Sequence, residues 1–193
     1  MVALRAGILC VSSIFFGLAL QRMPVGETVA IVYLAPFLVM VLAGPLLKET
    51  VTLGAWIGAS LAFFGVLLVV RPGTGLDPWG VAFAVTNAVL GTGYHLLTRV
   101  LTRSESTMAM LFHVALTGFV IFAVLAVPSL PAFAPTLLDL ALIGALGLLA
   151  TVGHFLFTAA YREAPASLLA PVNYLHLVWA TLLGWGVFAL MTR

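Results

Sequence analysis

The chain has 193 residues, of which 63% are apolar and 7% are charged. Soluble domains average roughly 45–50% apolar and about 25% charged residues, so this composition excludes a soluble fold and requires lipid to solvate part of the surface. The net charge of +2 comes from basic residues scattered singly between apolar runs, which is typical of contact with lipid headgroups and not of nucleic-acid binding. We therefore expect an all-α polytopic membrane protein whose surroundings are a lipid bilayer.

Uncharged runs between charged residues predict the membrane spans. A helix rises 1.5 Å per residue, so about 20 residues cross the ~30 Å of hydrocarbon. Seven runs are long enough for this, and we label them A, 4–21; B, 27–47; C, 51–70; D, 79–98; E, 107–127; F, 138–160; and G, 165–190. The Gly/Pro-rich stretch 71–78 indicates a boundary between two half-structures, 1–73 and 79–193.

A proline-containing hairpin near the start of the chain recurs near its end. Residues 19–37 match residues 160–178 at a constant offset that pairs Tyr33 with Tyr174. Such repeats determine the architecture. If A and B correspond to F and G, the repeat unit contains the five helices A to E. Because five is odd, the second copy enters the membrane from the opposite side and is inverted relative to the first. The sequence therefore predicts seven transmembrane helices from an inverted five-plus-five helix repeat, a plan known among secondary transporters.

The positions of the basic residues predict the orientation. An N-terminus in the cytoplasm places five basic residues inside, against three outside; the five are Arg5, Lys48, Arg99, Arg103 and Arg162. Because cytoplasmic loops carry an excess of Lys and Arg, this favours a cytoplasmic N-terminus.

Prolines interrupt two of the predicted spans at related places. Pro36 in B and Pro171 in G each remove one backbone hydrogen bond, which leaves the carbonyls of Val32 and Ser167 without their usual donor. Matched interruptions in two halves point to a binding site at the repeat interface. A structural kink satisfied by a neighbouring hydroxyl is the alternative.

Polar and aromatic residues inside the spans are the candidate solute-binding residues. In hydrocarbon such groups need partners or a wet cavity, so each could line a cavity or join two helices. The set comprises Tyr33 and Pro36 on B, Asn87 and Tyr94 on D, His154 on F, and Asn173, Tyr174, His176 and Trp179 on G. Two other histidines, His95 and His113, are near predicted helix ends, where we expect solvated interface positions.

Other chemistries have weak signals. Ser60 on C and His154 on F could imitate an intramembrane serine hydrolase, but small residues are so frequent here that the pattern is close to chance. The single cysteine, Cys10, permits no disulfide within the chain, and there is no zinc or phosphate-binding motif. We expect no enzyme activity, no cofactor and no metal.

Small residues at helical spacing predict close packing between helices. They occur on three spans: Gly54, Gly58 and Ala62 on C; Gly80, Ala84 and Ala88 on D; and Gly144, Gly147 and Thr151 on F.

Several short motifs together resemble the EamA-like branch of the drug/metabolite transporter superfamily. They are Ala19-Leu20 with Met23-Pro24-Val25, Lys48-Glu49, Val70-Arg71-Pro72-Gly73, Ala164-Pro165-Ala166-Ser167, Ala170-Pro171 and Gly184-Trp185. The resemblance implies ten helices in two inverted halves around a central cavity, and movement of small metabolites or drug-like solutes across the bacterial inner membrane. By this resemblance A to G are the third to ninth helices. A second copy or a partner chain would then supply the others, and the alternative is a truncated fragment that does not transport.

Overall fold

The computed structural model of the protein describes residues 1–70, 73, 75–179, 182–183 and 186. Within these residues all regular structure is helical. In chain order the elements are α1 Val2–Leu20, α2 Val25–Val32, α3 Ala35–Leu47, α4 Leu53–Val70, α5 Pro78–Leu101, α6 Thr107–Ala126, a 3₁₀ segment Val127–Ala132, α7 Leu137–Glu163 and α8 Ala166–Val172. Residues 175–179 are again helical.

The observed helices confirm the predicted all-helical membrane fold. Spans A, C, D, E and F begin and end within about three residues of the observed bounds, a normal uncertainty for helix ends. Span B is two helices, α2 and α3, and the later part of span G lies outside the described residues. Within the part of the chain that the structure describes, five spans are long and apolar enough to cross a membrane: Val2–Leu20, Val25–Leu47, Pro78–Leu101, Thr107–Ala126 and Leu137–Glu163. Leu53–Leu68 is a shorter apolar helix.

Side-chain caps explain where three of the helices begin. Asp77 accepts a hydrogen bond from the Gly80 N–H at 2.7 Å at the start of α5, and Ser106 caps α6 in the same manner. Thr136 and Asp139 form a reciprocal capping box at the start of α7. Each cap satisfies backbone donors that the first helical turn leaves free.

The close contact between α1 and α5 depends on small residues. A Cβ added to Gly80 would lie 2.6 Å from Met23 Cγ, and Ala84 and Ala88 are buried. The packing face predicted on D is therefore confirmed. In contrast, a Cβ at Gly58 or Gly144 would meet no atom within 4 Å, so neither of these glycines makes a close helix contact in the described part of the chain.

The turns at Arg22 and Arg162 lie at opposite ends of α5. Arg22 is 3.8 Å from Asp77, which precedes α5, whereas Arg99, in the last turn of α5, donates to the Tyr161 carbonyl at 2.8 Å. Repeat units that cross the bilayer in opposite senses require this placement. The inverted repeat itself stays a prediction.

Candidate functional site

Both proline-containing helices are interrupted at related positions. Between α2 and α3 the chain turns at Tyr33–Leu34, and after α8 it turns at Asn173–Tyr174. Each turn contains a tightened hydrogen bond to the residue three before it, from Leu34 N to Ile31 O at 3.0 Å and from Tyr174 N to Pro171 O at 3.2 Å. The first turn lies just before Pro36, where the missing proline N–H weakens a helix, and the second lies just after Pro171, which is inside α8. Both helices that were expected to be interrupted are therefore interrupted.

The two interruptions are in direct contact. The Tyr174 hydroxyl donates a hydrogen bond to the Tyr33 carbonyl oxygen at 2.7 Å, and the two rings stack with centroids 5.4 Å apart. The Tyr33 hydroxyl and His176 Nδ1 are hydrogen-bonded at 3.0 Å. Tyr33 and Tyr174, which the repeat relates to each other, thus meet where both helices expose backbone polar groups.

A cavity of about 250 Å³ lies beside this contact. Its lining consists of Val32, Tyr33, Ala35, Pro36, His95, Asn173 and His176. Four of the nine candidate residues, Tyr33, Pro36, Asn173 and His176, are therefore brought together, and Tyr174 stands directly behind Tyr33. An apolar and aromatic wall with a few convergent polar groups is the usual form of a small-molecule site.

His95 is a cavity residue that the sequence interpretation missed. The expectation of a solvated interface position was wrong, because His95 lines the cavity and its Nδ1 is 2.6 Å from the Tyr161 hydroxyl. The Asn173 side chain interacts with the same hydroxyl. A signal was available: Thr92, His95 and Arg99 follow one another at helical spacing on α5, and all three face partners outside their own helix.

The other four candidates lie away from this cavity. Asn87 donates to the Ser12 carbonyl at 2.7 Å and to the Ser12 hydroxyl at 2.9 Å, so it joins α5 to α1. The Tyr94 hydroxyl accepts a hydrogen bond from Arg5 at 2.8 Å, and His154 is half-buried on α7 outside the cavity lining. Trp179 is 63% exposed.

Arg5 is fully buried, although we expected it at the cytoplasmic surface. Its guanidinium donates to Thr98 Oγ1 at 2.7 Å, to the Tyr94 hydroxyl at 2.8 Å and to Thr158 Oγ1 at 3.1 Å, and it lies 4.4 Å from the Tyr94 ring centroid. An intramembrane cation faces the protein interior because lipid cannot solvate its charge. The run of apolar residues around Arg5 gave no sign of these partners.

An ion pair joins the two halves of the chain near one end of the cavity. Glu49 Oε1 accepts from Arg99 Nε at 2.9 Å, and Oε2 accepts from the Ser167 N–H at 3.0 Å. Lys48, with a left-handed φ of 57°, ends α3 and directs Glu49 to this position. Burial by itself raises the pKa of Glu49, but the hydrogen bonds from Ser167, Arg99 and Ala166 and the charge of Arg99 together lower it.

A larger cavity, of about 600 Å³, lies between α4 and residues 171–182. Its lining is apolar apart from Tyr174, whose hydroxyl is bonded to Tyr33. It therefore offers no free polar group to orient a solute.

The described residues also allow the hypotheses of a serine hydrolase and of a metal site to be checked. Among them, no three His, Cys, Asp or Glu side chains form a group that could hold a metal ion. Ser60 is exposed on α4, and no hydrogen bond joins it to His154 in the described part of the chain. The positions of Ser60 and His154 thus do not support the serine hydrolase hypothesis.

Comparison with known proteins finds similarity to one transporter family. Residues 1–71 match the EamA-like transporter family. The chain is 30% identical over 175 residues to a riboflavin transporter of Rhizobium johnstonii, covering 88% of this chain and 56% of the relative. It is 27% identical over 185 residues to an S-adenosylmethionine uptake transporter of Rickettsia bellii, covering 91% of this chain and 61% of the relative.

A solved crystal structure has the same fold. It superposes with a TM-score of 0.85 at 22% identity, over 95% of this chain and 67% of the other. The chain spans about three fifths of the length of the curated relatives it matches. These relatives are named as transporters and not as enzymes. These matches place an EamA-like transporter sequence over residues 1–71 and relate the chain as a whole to proteins named as transporters.

Proposed function

We propose that this chain is the solute-binding part of a secondary transporter that moves a small organic metabolite across the cell membrane by alternating access. The observation that carries the proposal is the contact between the two interrupted helices, where Tyr174 donates to the Tyr33 carbonyl beside a cavity lined by polar groups. Interrupted helices at a repeat interface are where secondary transporters bind their solutes. The half-repeats are residues 1–73 and 79–193, and they rock around this cavity.

The unequal contacts at the two ends of the molecule support alternating access. At one end Glu49 holds Arg99 and Ser167 of the other half with short bonds, and the Glu49 and Arg99 side chains are only 9% and 18% exposed. At the opposite end Arg22 and Asp77 are 3.8 Å apart and more than a third exposed. A solvated pair of this kind contributes little. The Glu49 end is therefore the closed one, and opening requires the loss of the Glu49 bonds.

The lining of the cavity suits a ring-shaped metabolite with hydrogen-bonding atoms. Tyr33 and the two histidines offer flat surfaces and hydroxyl or imidazole groups, and Asn173 offers an amide. The riboflavin and S-adenosylmethionine carried by the relatives both contain a nitrogen heterocycle, so both are suitable test solutes. We place the protein in the inner membrane with a cytoplasmic N-terminus, as its basic residues favour.

A second candidate is a membrane component that transports only together with a partner chain. In the 18-residue windows that define these spans, 6% of the α6 residues and none of the α7 residues are buried, so a large part of each helix is left for lipid or for another chain. A homodimer or a different partner would cover part of it.

Flux into proteoliposomes tests both candidates. With the purified chain alone and labelled riboflavin, we expect uptake that falls at least tenfold in the double variant Asn173→Ala/His176→Ala, because the main polar contacts of the solute are lost. Trp179→Ala is the matched control, since this side chain on the same segment is exposed. Uptake that appears only after addition of a partner chain favours the second candidate. Uptake that the double variant leaves unchanged refutes the proposed site.

A further inference from the structure

Arg5 carries a buried positive charge that no carboxylate of the chain neutralises. The chain has six Asp and Glu residues, and all six are among the described residues. Asp77 pairs with Arg22 and Glu49 pairs with Arg99, and none of the six is within 4 Å of the Arg5 guanidinium. Hydroxyls, a carbonyl and the Tyr94 ring surround it instead. These groups solvate the charge but leave its field in place.

The charge of Arg5 is close enough to act on the cavity. Arg5 Cζ is 4.4 Å from the Tyr94 ring centroid, and this centroid is 6.0 Å from that of His95, which lines the cavity. The guanidinium therefore lies within about 10 Å of the cavity wall. Arg5 is fully buried, so its charge is screened less than a surface charge would be.

The cavity lining contains no group that offsets this field. Its residues include two histidines, a tyrosine and an amide but no Asp or Glu. The nearest carboxylate in the network, that of Glu49, is already engaged by Arg99 and Ser167. A solute that brings a positive charge into the cavity would meet repulsion without compensation.

We propose that Arg5 sets the charge specificity of this cavity: it admits neutral or anionic heterocyclic metabolites and disfavours cations such as the sulfonium of S-adenosylmethionine. The inference rests on the proposed function of the cavity as a solute site. A unit charge at about 10 Å in a partly screened interior changes affinity roughly tenfold. The solute class is accordingly closer to that of the relative named for riboflavin than to that of the relative named for S-adenosylmethionine.

Equilibrium binding to the full chain in lipid nanodiscs tests this selectivity with two matched probes. S-adenosylmethionine and S-adenosylhomocysteine share the adenosine group, and they differ by one methyl group and the positive charge on sulfur. We expect S-adenosylhomocysteine to bind at least tenfold more tightly, and Arg5→Met to reduce this ratio to nearly one. Arg5→Lys keeps the charge and should keep the preference. Arg22→Met removes a charge from the exposed end of α1 and should leave the ratio unchanged.

The possible outcomes separate this inference from the proposed function. Equal affinities for the two probes in the unmodified chain overturn the charge selectivity but leave a solute site intact. A tenfold preference that survives in a folded Arg5→Met protein overturns the role of Arg5. If Arg5→Met does not fold, Arg5→Gln takes its place, because it removes the charge but keeps hydrogen-bond donors, and a tenfold preference that survives in it overturns the role of Arg5. Failure of both probes and of riboflavin to bind overturns the proposed function together with the inference.

Discussion

Replacing Glu49 by Gln should open the closed end of the molecule. Glu49 accepts from Arg99 at 2.9 Å and from the Ser167 N–H at 3.0 Å, and both bonds join the α3–α4 link to the second half. A hydrogen bond to a charged group contributes about 1.5–3 kcal/mol. Arg99 keeps its bond to the Tyr161 carbonyl, so we take about 2 kcal/mol as the loss. This corresponds to a roughly 30-fold shift toward the open arrangement.

Thiol labelling can measure this shift. Cys10, the single cysteine, is replaced by Ser, and a reporter thiol is placed in the cavity by Val32→Cys. A membrane-impermeant maleimide is added on the side of Glu49, and we expect Glu49→Gln to raise the labelling rate by up to roughly 30-fold. Glu163→Gln is the control, because this nearby carboxylate is exposed. Equal labelling rates in all three proteins would show that the Glu49 bonds do not close this end.

Three further outcomes follow from the same contacts. The pKa of Glu49 is lowered in the folded chain, so its stabilising bonds are complete above the ordinary value of 4.5 and are lost as the pH falls through the folded pKa. Maleimide reacts with the thiolate, so each labelling rate is divided by that of a free thiol at the same pH. The corrected rate should rise only below about pH 4.5. Gly80→Ala should lower the free energy of unfolding by about 1–3 kcal/mol, because the added methyl group overpacks this contact. Gly91 has open space around it, so Gly91→Ala should raise the free energy of unfolding by up to about 1 kcal/mol. Thermal unfolding in detergent measures both changes. Asn87→Ala should cost about 1–3 kcal/mol in the same assay because the bonds from the Asn87 amide to the Ser12 carbonyl and hydroxyl are lost, and an unchanged melting temperature would contradict this.

The sequence determined where the helices are and where two of them break. Apolar runs bounded by charges predict helices because lipid cannot solvate either a charge or a free backbone group. Proline has no N–H to donate, so the break just before Pro36 was predictable from the sequence, whereas Pro171 lies inside α8 and the break follows it. The repeat that pairs Tyr33 with Tyr174 was visible in the sequence as well, and it named two residues that are in contact.

Only the tertiary structure decided which face of each helix meets which neighbour. In an almost uniformly apolar helix, hydropathy predicts where the membrane span lies in the sequence. It does not predict how the helix is rotated about its own axis, because lipid and the protein interior are similarly apolar. His95 could therefore have faced solvent or the cavity, Asn87 could have lined the cavity or joined α1, and Arg5 could have stood at the surface. The position of each side chain depends on partners far away in the sequence. His95 bonds to Tyr161, and Asn87 bonds to Ser12. Arg5 bonds to Tyr94, Thr98 and Thr158.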